Sequence, residues 1–348
     1  MQTTMRRCGF AAAAAILCAA SAAGAGNDPP AAIPFPVDKT RILKVDDAVY
    51  FVEGRRTIPQ GVEVTVLKGA QILGRGKDAT LVVEGGLKIH GVTGLEVAIE
   101  GVTVEPAAKF DAIRIDEAIF RKGGGIRTAA KVPCDGYFML ELLDFTDTAA
   151  LDVTVAKGSV EMSNVCSETP VSLVAVDDPT THSNTVRFEI RGCVQGKDTE
   201  CRPHTSRCGL RGGLVVEAAN EIVVRMSRLG GALASIRDWR KSLIFDGNKV
   251  DARRLEFIQP VAGRFKVAQL FKCDVYSPKV VFTAPPAKAG ETEEIQFERF
   301  CFANAGLDEK AVEAVVEDAA DAPGKNGVRV KITKLNERPL GLAGSIPK

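Results

Sequence analysis

The chain has 348 residues, of which 45% are hydrophobic and 26% charged, and its formal net charge is +1 at pH 7. These proportions are ordinary for a globular protein and exclude a disordered, collagen-like or polytopic membrane chain. The near-neutral charge provides no basic surface for a phosphate backbone, so we expect no nucleic-acid partner. The 33 glycines and the abundant valines favour β-structure with many turns.

The first 25 residues have the three-part pattern of a secretory signal peptide. Arg6 and Arg7 form a positive start, an apolar run follows from Cys8 to Ala20, and Ala23-Gly24-Ala25 provides a cleavage site. The run is shorter than the roughly 20 apolar residues that span a bilayer. We therefore predict a secreted or periplasmic protein with no integral membrane segment after the signal is removed.

Residues 26–39 contain several prolines and are predicted to be an extended linker. No asparagine of the chain lies in an N-glycosylation sequon, which favours a bacterial envelope protein over a eukaryotic secreted one.

Between residues 40 and 306 apolar and polar residues alternate in short pieces, which predicts many short strands in a sandwich, a barrel or a solenoid. A recurring spacing, Φ-x-Φ-x-x-Φ with Φ apolar, favours the solenoid, because a coil of a parallel β-helix takes roughly 20–30 residues. The spacing fits six segments: Val160-Met162-Val165, Phe188-Ile190-Cys193, Val224-Met226-Leu229, Leu243-Phe245-Asn248, Ala268-Leu270-Cys273 and Ile295-Phe297-Phe300.

The last position of each repeat is predicted to point inward and to stack on its equivalents about 4.8 Å apart. One of these positions is polar, because Asn248 stands where the other repeats have an apolar residue or cysteine. We interpret Asn248 as an inward amide that bonds to backbone groups of neighbouring coils, since an unsatisfied one would cost about 1–3 kcal/mol.

Two segments resemble a known family. Residues 50–70 (YFVEGRRTIPQGVEVTVLKGA) and 81–91 (LVVEGGLKIHG) are similar to the first coils of secreted bacterial right-handed parallel β-helix proteins. The resemblance implies a mainly-β, single-stranded, right-handed parallel β-helix of the pectate-lyase-like class. It implies no activity, because lyases, hydrolases, esterases and adhesins share that fold.

Residues 307–348 are predicted to cap the end of the solenoid with a helix and a strand. Asp308 suits a helix N-cap, an apolar stripe follows between Ala311 and Ala319, and Pro323-Gly324 ends the helix. Val328, Val330 and Ile332 alternate as a last strand. A separate small domain is less favoured, because about 40 residues hold little core.

The densest polar stretch is our candidate ligand-binding patch, and it contains Arg237, Asp238, Trp239, Arg240, Asp246 and Asp251. A tryptophan beside arginines suits stacking on a sugar ring and pairing with uronic carboxylates. The alternative interpretation is that outward positions of a β-helix are polar by default and that Trp239 packs against a loop.

Other polar groups give weaker indications. Asp177-Asp178 is a carboxylate pair that suits acid–base chemistry, but none of the motifs that the resemblance would imply for polygalacturonases or pectate lyases accompanies it.

The runs Gly74-Arg75-Gly76 and Gly123-Gly124-Gly125 are predicted to be turns rather than phosphate loops, because no helical periodicity follows either run.

Cys201 and Cys208 enclose His204, and we predict a disulfide there rather than a metal site, because the chain has only three histidines. We expect no metal and no cofactor. The pairing of the other mature cysteines stays open: Cys134, Cys166, Cys193, Cys273 and Cys301.

The sequence therefore predicts an exported protein that is a non-catalytic envelope scaffold or a polysaccharide-binding module. The alternative is a carbohydrate-active enzyme, either a polysaccharide lyase or a glycoside hydrolase, that uses the carboxylates and arginines near residues 237–254. The missing family motifs favour the first interpretation. The sequence names neither the ligand nor the oligomeric state.

Overall fold

The computed structural model describes residues 32–37, 41–43, 48–129, 132–178, 184–192 and 209–258, and the short segments 264–265, 267–271, 273–275, 277, 280–284, 296–297 and 328–329. These residues form strands and turns and no helix. The predicted signal peptide, the Cys201–Cys208 disulfide and the predicted C-terminal helix lie outside the described residues and stay predictions.

The strands are short, except where one strand continues around a corner. In chain order they are β1 (Ile33–Pro34), β2 (Arg41–Leu43), β3 (Val49–Ile58), β4 (Glu63–Leu67), β5 (Gln71–Val83), β6 (Gly86–His90), β7 (Val97–Pro106), β8 (Ala112–Arg127), β9 (Cys134–Phe145), β10 (Ala150–Ser163), β11 (Cys166–Ser167), β12 (Val171–Ala175), β13 (Arg187–Arg191), β14 (Gly209–Leu210), β15 (Leu214–Glu217), β16 (Glu221–Arg225), β17 (Arg228–Leu229), β18 (Ala234–Arg237), β19 (Ser242–Asp246), β20 (Lys249–Val250), β21 (Leu255–Ile258), β22 (Arg264–Phe265), β23 (Val267–Phe271), β24 (Asp274–Val275), β25 (Val280–Ala284), β26 (Gln296–Phe297) and β27 (Val328–Arg329).

The strands stack in parallel as a β-solenoid of about eight turns, with three faces that the chain visits in order. Face 1 begins with the pair of β1 and β3, face 2 with the second half of β3 and the second half of β5, and face 3 with the pair of β2 and β4. The described strand pairs of these faces are parallel, except for the final pair of β25 and β27, so the predicted mainly-β parallel β-helix is confirmed.

The register holds the same residue position inward on successive coils. On face 3, Phe138 pairs with Val160, Val160 with Phe188, Phe188 with Ile222 and Ile222 with Leu243, and all five are buried. Because inward and outward residues alternate along a strand, one constant register builds a continuous apolar core.

Aromatic rings stack between coils and across faces inside this core. The rings of Phe120 and Phe145, paired on face 1, are parallel with centroids 4.9 Å apart. Phe245 of face 3 meets Phe257 of face 2 edge to face at 5.3 Å. Each fully buried side chain of this size contributes about 1.5–3 kcal/mol through burial.

The predicted linker includes a strand of the solenoid. Ile33 and Pro34 pair with Tyr50 and Phe51 of β3, and Phe35 is fully buried. Proline is accepted here because β1 pairs with β3 alone among the described strands, so the missing N–H breaks no described ladder. Residues 26–39 are thus not a linker throughout.

The third segment of the predicted coil repeat needs a correction. Ile222 and Val224, not Val224 and Met226, pair with Leu243 and Phe245. Met226 lies at a corner with φ +47° and is 43% exposed, while Leu229 belongs to face 1. The apolar spacing placed this repeat two residues too far along the chain. The residue at the position equivalent to Asn248 is the polar Ser227, which an apolar pattern does not detect.

The last two predicted elements are only partly described. Phe297 pairs with Phe265 in a separate two-stranded sheet and not with a strand of face 3. The other residues of the predicted segment Ile295-Phe297-Phe300 lie outside the described residues. At the predicted cap, β27 pairs antiparallel with β25, in agreement with a final strand at Val328.

Asn248 bonds to the neighbouring coil as predicted. It is 1% exposed, its Oδ1 accepts from the Ser227 N–H at 3.0 Å, and its Nδ2 donates to the Val224 carbonyl at 2.9 Å. One amide therefore satisfies two backbone groups that the corner removes from the ladder.

We expect Asn248→Ala to lower the free energy of unfolding by about 1–3 kcal/mol, because it leaves two buried backbone groups without partners. Urea unfolding followed by the fluorescence of Trp239 measures this loss. Asn220→Ala is the control, because the backbone N–H of Asn220, not its side chain, makes the bond to Asn184. Equal stability of the two variants would contradict the role given to Asn248.

Candidate binding site

The predicted patch is divided among the three faces. Arg237 ends β18 on face 2, Asp246 ends β19 on face 3, and Asp251 follows β20 on face 1. Asp251 accepts a 3.4 Å bond from Arg228, and Asp246 lies beside Arg225 in the ladder. Because the faces point in different directions, these residues do not form one surface.

Trp239 lies in the core. Its side chain is 0% exposed and belongs to the same cluster as Phe245 and Leu243. The backbone N–H of Arg240 donates to the Ala219 carbonyl at 2.9 Å, which ties this corner to the preceding coil. The prediction that the Trp239 ring contacts a sugar is therefore wrong, because burial of a large indole stabilises the corner from within.

Arg240 links the predicted patch to the predicted carboxylate pair. Its guanidinium donates to Asp238 at 2.8 Å and to Asp177 Oδ2 at 2.6 Å. Asn184 donates to Asp177 Oδ1 and to the Ala218 carbonyl, both at 2.7 Å. All these groups lie at the corner between faces 2 and 3 of three successive coils. The network thus joins coils, and both oxygens of Asp177 are already engaged.

Arg237 takes part in a second network on face 2. It donates to Ser235 at 2.7 Å and to Glu256 at 3.0 Å, and Arg254 binds the other oxygen of Glu256. Burial raises the pKa of Glu256, but hydrogen bonds from Arg237 and Ser235 and the charge of Arg254 outweigh it, so the pKa is lowered. Glu256 is therefore an ionised link between coils.

Stability should depend on pH through Glu256. Because its folded pKa lies below the ordinary value of 4.5, the unfolded chain takes up the proton first as the pH falls. The stabilisation is present above about pH 4.5 and is lost as the pH falls through the folded pKa.

We expect Glu256→Gln to unfold at lower urea concentration than the wild type at pH 7, and this difference to shrink below pH 4.5. Urea titrations between pH 7 and pH 3 measure it. The exposed Glu161 provides the control Glu161→Gln, whose difference from the wild type should stay small at every pH. A Glu256→Gln difference that grows in acid would contradict the assignment.

Of the three described cysteines, Cys134 and Cys273 lie in the core and Cys166 is half-buried. Cys134 is buried and donates to the Thr154 carbonyl at 3.2 Å, and burial raises its pKa to about 12. Cys273, an inward position as predicted, donates to the Phe245 carbonyl at 3.4 Å. A thiol that stays protonated near neutral pH is a poor nucleophile, so Cys134 is structural.

A groove that the sequence did not reveal lies at the corner between faces 1 and 2. It has a volume of about 640 Å³ and is open to solvent. Corners of three successive coils line it. The lining residues are Leu73, Gly74 and residues 76–80 of the first coil, Glu100, Gly101 and Thr103 of the second, and residues 122–124 of the third. This volume is in the range of small-molecule sites, which is about 300–1,000 Å³.

Close backbone approach requires two of the glycines beside the groove. A Cβ on Gly74 would lie 2.2 Å from the carbonyl oxygen of Gly101, and a Cβ on Gly124 would lie 2.2 Å from that of Val102. Gly124 also has φ +77°. Both glycine runs lie within continuous strands, β5 and β8, where each strand bends from face 1 to face 2, and not in separate turns. Only glycine allows the coils to pack this tightly at the corner.

Glu100 forms a charged part of the groove wall. Its carboxylate accepts from Lys122 Nζ and from Arg121 Nε and is 13% exposed. Burial raises the pKa of Glu100, but the hydrogen bonds from Lys122 and Arg121 outweigh it, so the pKa is lowered. The group is ionised at neutral pH, whereas a general acid needs a raised pKa.

Comparison with known protein families, with curated proteins and with solved structures found no match to this chain. Within the described ranges, no helix is long and apolar enough to cross a membrane. In the same part of the chain, no three or more His, Cys, Asp or Glu side chains converge in a way that could hold a metal ion.

Proposed function

We propose that this protein is an exported, non-catalytic polysaccharide-binding module of the bacterial envelope. The groove between faces 1 and 2 carries the proposal, because it is open, polar and crosses three coils. An open groove along a stack of coils accepts a segment of a long chain, whereas an enclosed pocket accepts only a small molecule. The rigid ladder of the solenoid holds the groove in shape without a ligand, which reduces the ordering cost of binding.

The charges of the described residues support a non-catalytic role. Glycoside hydrolysis needs one carboxyl group that keeps its proton near neutral pH. Glu100 and Glu256 have lowered pKa values, and Asp177 is held by Arg240 and Asn184. Each of these carboxylates is engaged in joining coils. Because these carboxylates pair with side chains of other coils, they favour a binding role over the alternative of a lyase or glycosidase.

Export is supported by the N-terminal sequence. When the full chain is produced in a bacterial host, we expect the envelope fraction to contain a form that begins at Gly26, because Ala23 and Ala25 fit the small-residue cleavage pattern. Intact-mass spectrometry measures the N-terminus. The control Ala25→Lys should retain the precursor. A chain that keeps Met1 and stays in the cytoplasm would contradict export.

Binding without turnover is the second expectation. The exported chain should bind at least one glycan on an array of bacterial and plant polysaccharides, and prolonged incubation with that glycan should release no shorter products. Chromatography of the glycan before and after incubation measures turnover, with heat-denatured protein as the control. Release of reducing or unsaturated ends would overturn the non-catalytic assignment in favour of the enzyme.

A further inference from the structure

The side chains of the groove carry both signs of charge. Lys77 and Asp78 line it and are exposed, and Glu100 of the next coil lines it as an ion pair with Lys122. An anionic ligand would meet Asp78 and Glu100, and a cationic one would meet the two lysines. Neither charged class gains a net attraction from this arrangement.

Hydrogen-bonding groups of both kinds surround the same space. Thr80 and Thr103 line it with hydroxyl groups, which both donate and accept hydrogen bonds, beside the charged groups of Lys77, Asp78 and Glu100. Leu73 is the only apolar side chain larger than alanine in the lining. The lining therefore matches a ligand rich in hydroxyl groups and offers little to an apolar one.

We infer that the groove binds an uncharged, polyhydroxylated glycan segment, such as a run of neutral hexoses. This inference rests on the proposed polysaccharide-binding function and assigns its ligand class and its site. The segment lies along the stack, because the lining residues come from successive coils about 4.8 Å apart. The sugar hydroxyls form hydrogen bonds with the side chains of Asp78, Lys77 and Thr103.

The test uses the exported full chain and an array of neutral gluco-, manno- and galacto-oligosaccharides, together with hexagalacturonate as the anionic probe and a glucosamine hexamer as the cationic probe. We expect binding to a neutral oligosaccharide and to neither charged hexamer. Affinity for the neutral probe should change less than about twofold between low and high NaCl, because salt screens only charge–charge attraction.

Variants locate the site. Thr103→Trp fills the groove from an outward position of β7, and we expect it to weaken binding at least about tenfold. Thr65→Trp is the matched control, an equally half-buried outward threonine on β4, and it should bind like the wild type. Asp78→Ala alters only an exposed turn and should also weaken binding, so the test does not depend on how well a tryptophan is accommodated. Melting temperatures of all variants verify folding.

The outcomes separate the inference from the proposed function. Binding of hexagalacturonate or the glucosamine hexamer alone would overturn the neutral ligand class and leave the binding function standing. Neutral binding that survives both Thr103→Trp and Asp78→Ala would overturn the groove as the site. Failure to bind any glycan would overturn the proposed function and this inference together.

Discussion

The structure depends on one constraint, which is that every coil stays in register with the coils on either side. The parallel ladder satisfies the backbone groups between coils, and it fixes which residues point inward along the whole stack. Phe188, Ile222 and Leu243 meet in the core because the ladder pairs them, although they are far apart in sequence. A polar residue is tolerated inside only when it bonds to the ladder itself, as Asn248 does.

The corners follow from the same constraint, because the chain must turn without shifting the register. Between faces 3 and 1 a single residue in the left-handed region makes the turn, as at Glu117 and Asn164. Between faces 1 and 2 the turn of one early coil is longer, from Gly74 to Ala79, and the groove opens there. Charged clusters around Arg240 and Glu256 join coils at other positions, so they contribute to the stability of the stack.

Much of the fold could be predicted from local sequence, and most of the site could not. The alternation of apolar residues and the inward Asn248 are properties of short segments, and the structure confirms them. The coil repeat is confirmed in most of its described segments and is shifted by two residues at Met226. The sequence predicts Trp239 at the surface, whereas its side chain is buried. A tryptophan within a charged stretch carries no local signal of whether its side chain points inward or outward. The groove was missed because its residues come from three coils, although the recurrence of Gly74, Gly101 and Gly123 after face 1 strands was the signal that could have indicated a shared corner.

The sequence by itself determined that the chain forms short strands with a recurring coil length, since the alternation and turn residues that dictate these features are local. It did not determine the register between coils, which shifted by two residues at Met226, because apolar spacing alone tolerates such a shift. Only the tertiary structure decided that Asp177 and Arg240 meet and that Gly74 lies against Gly101. Those neighbours are separated by one or more whole coils of chain, and the pairing of the coils, rather than any local preference, brings them together.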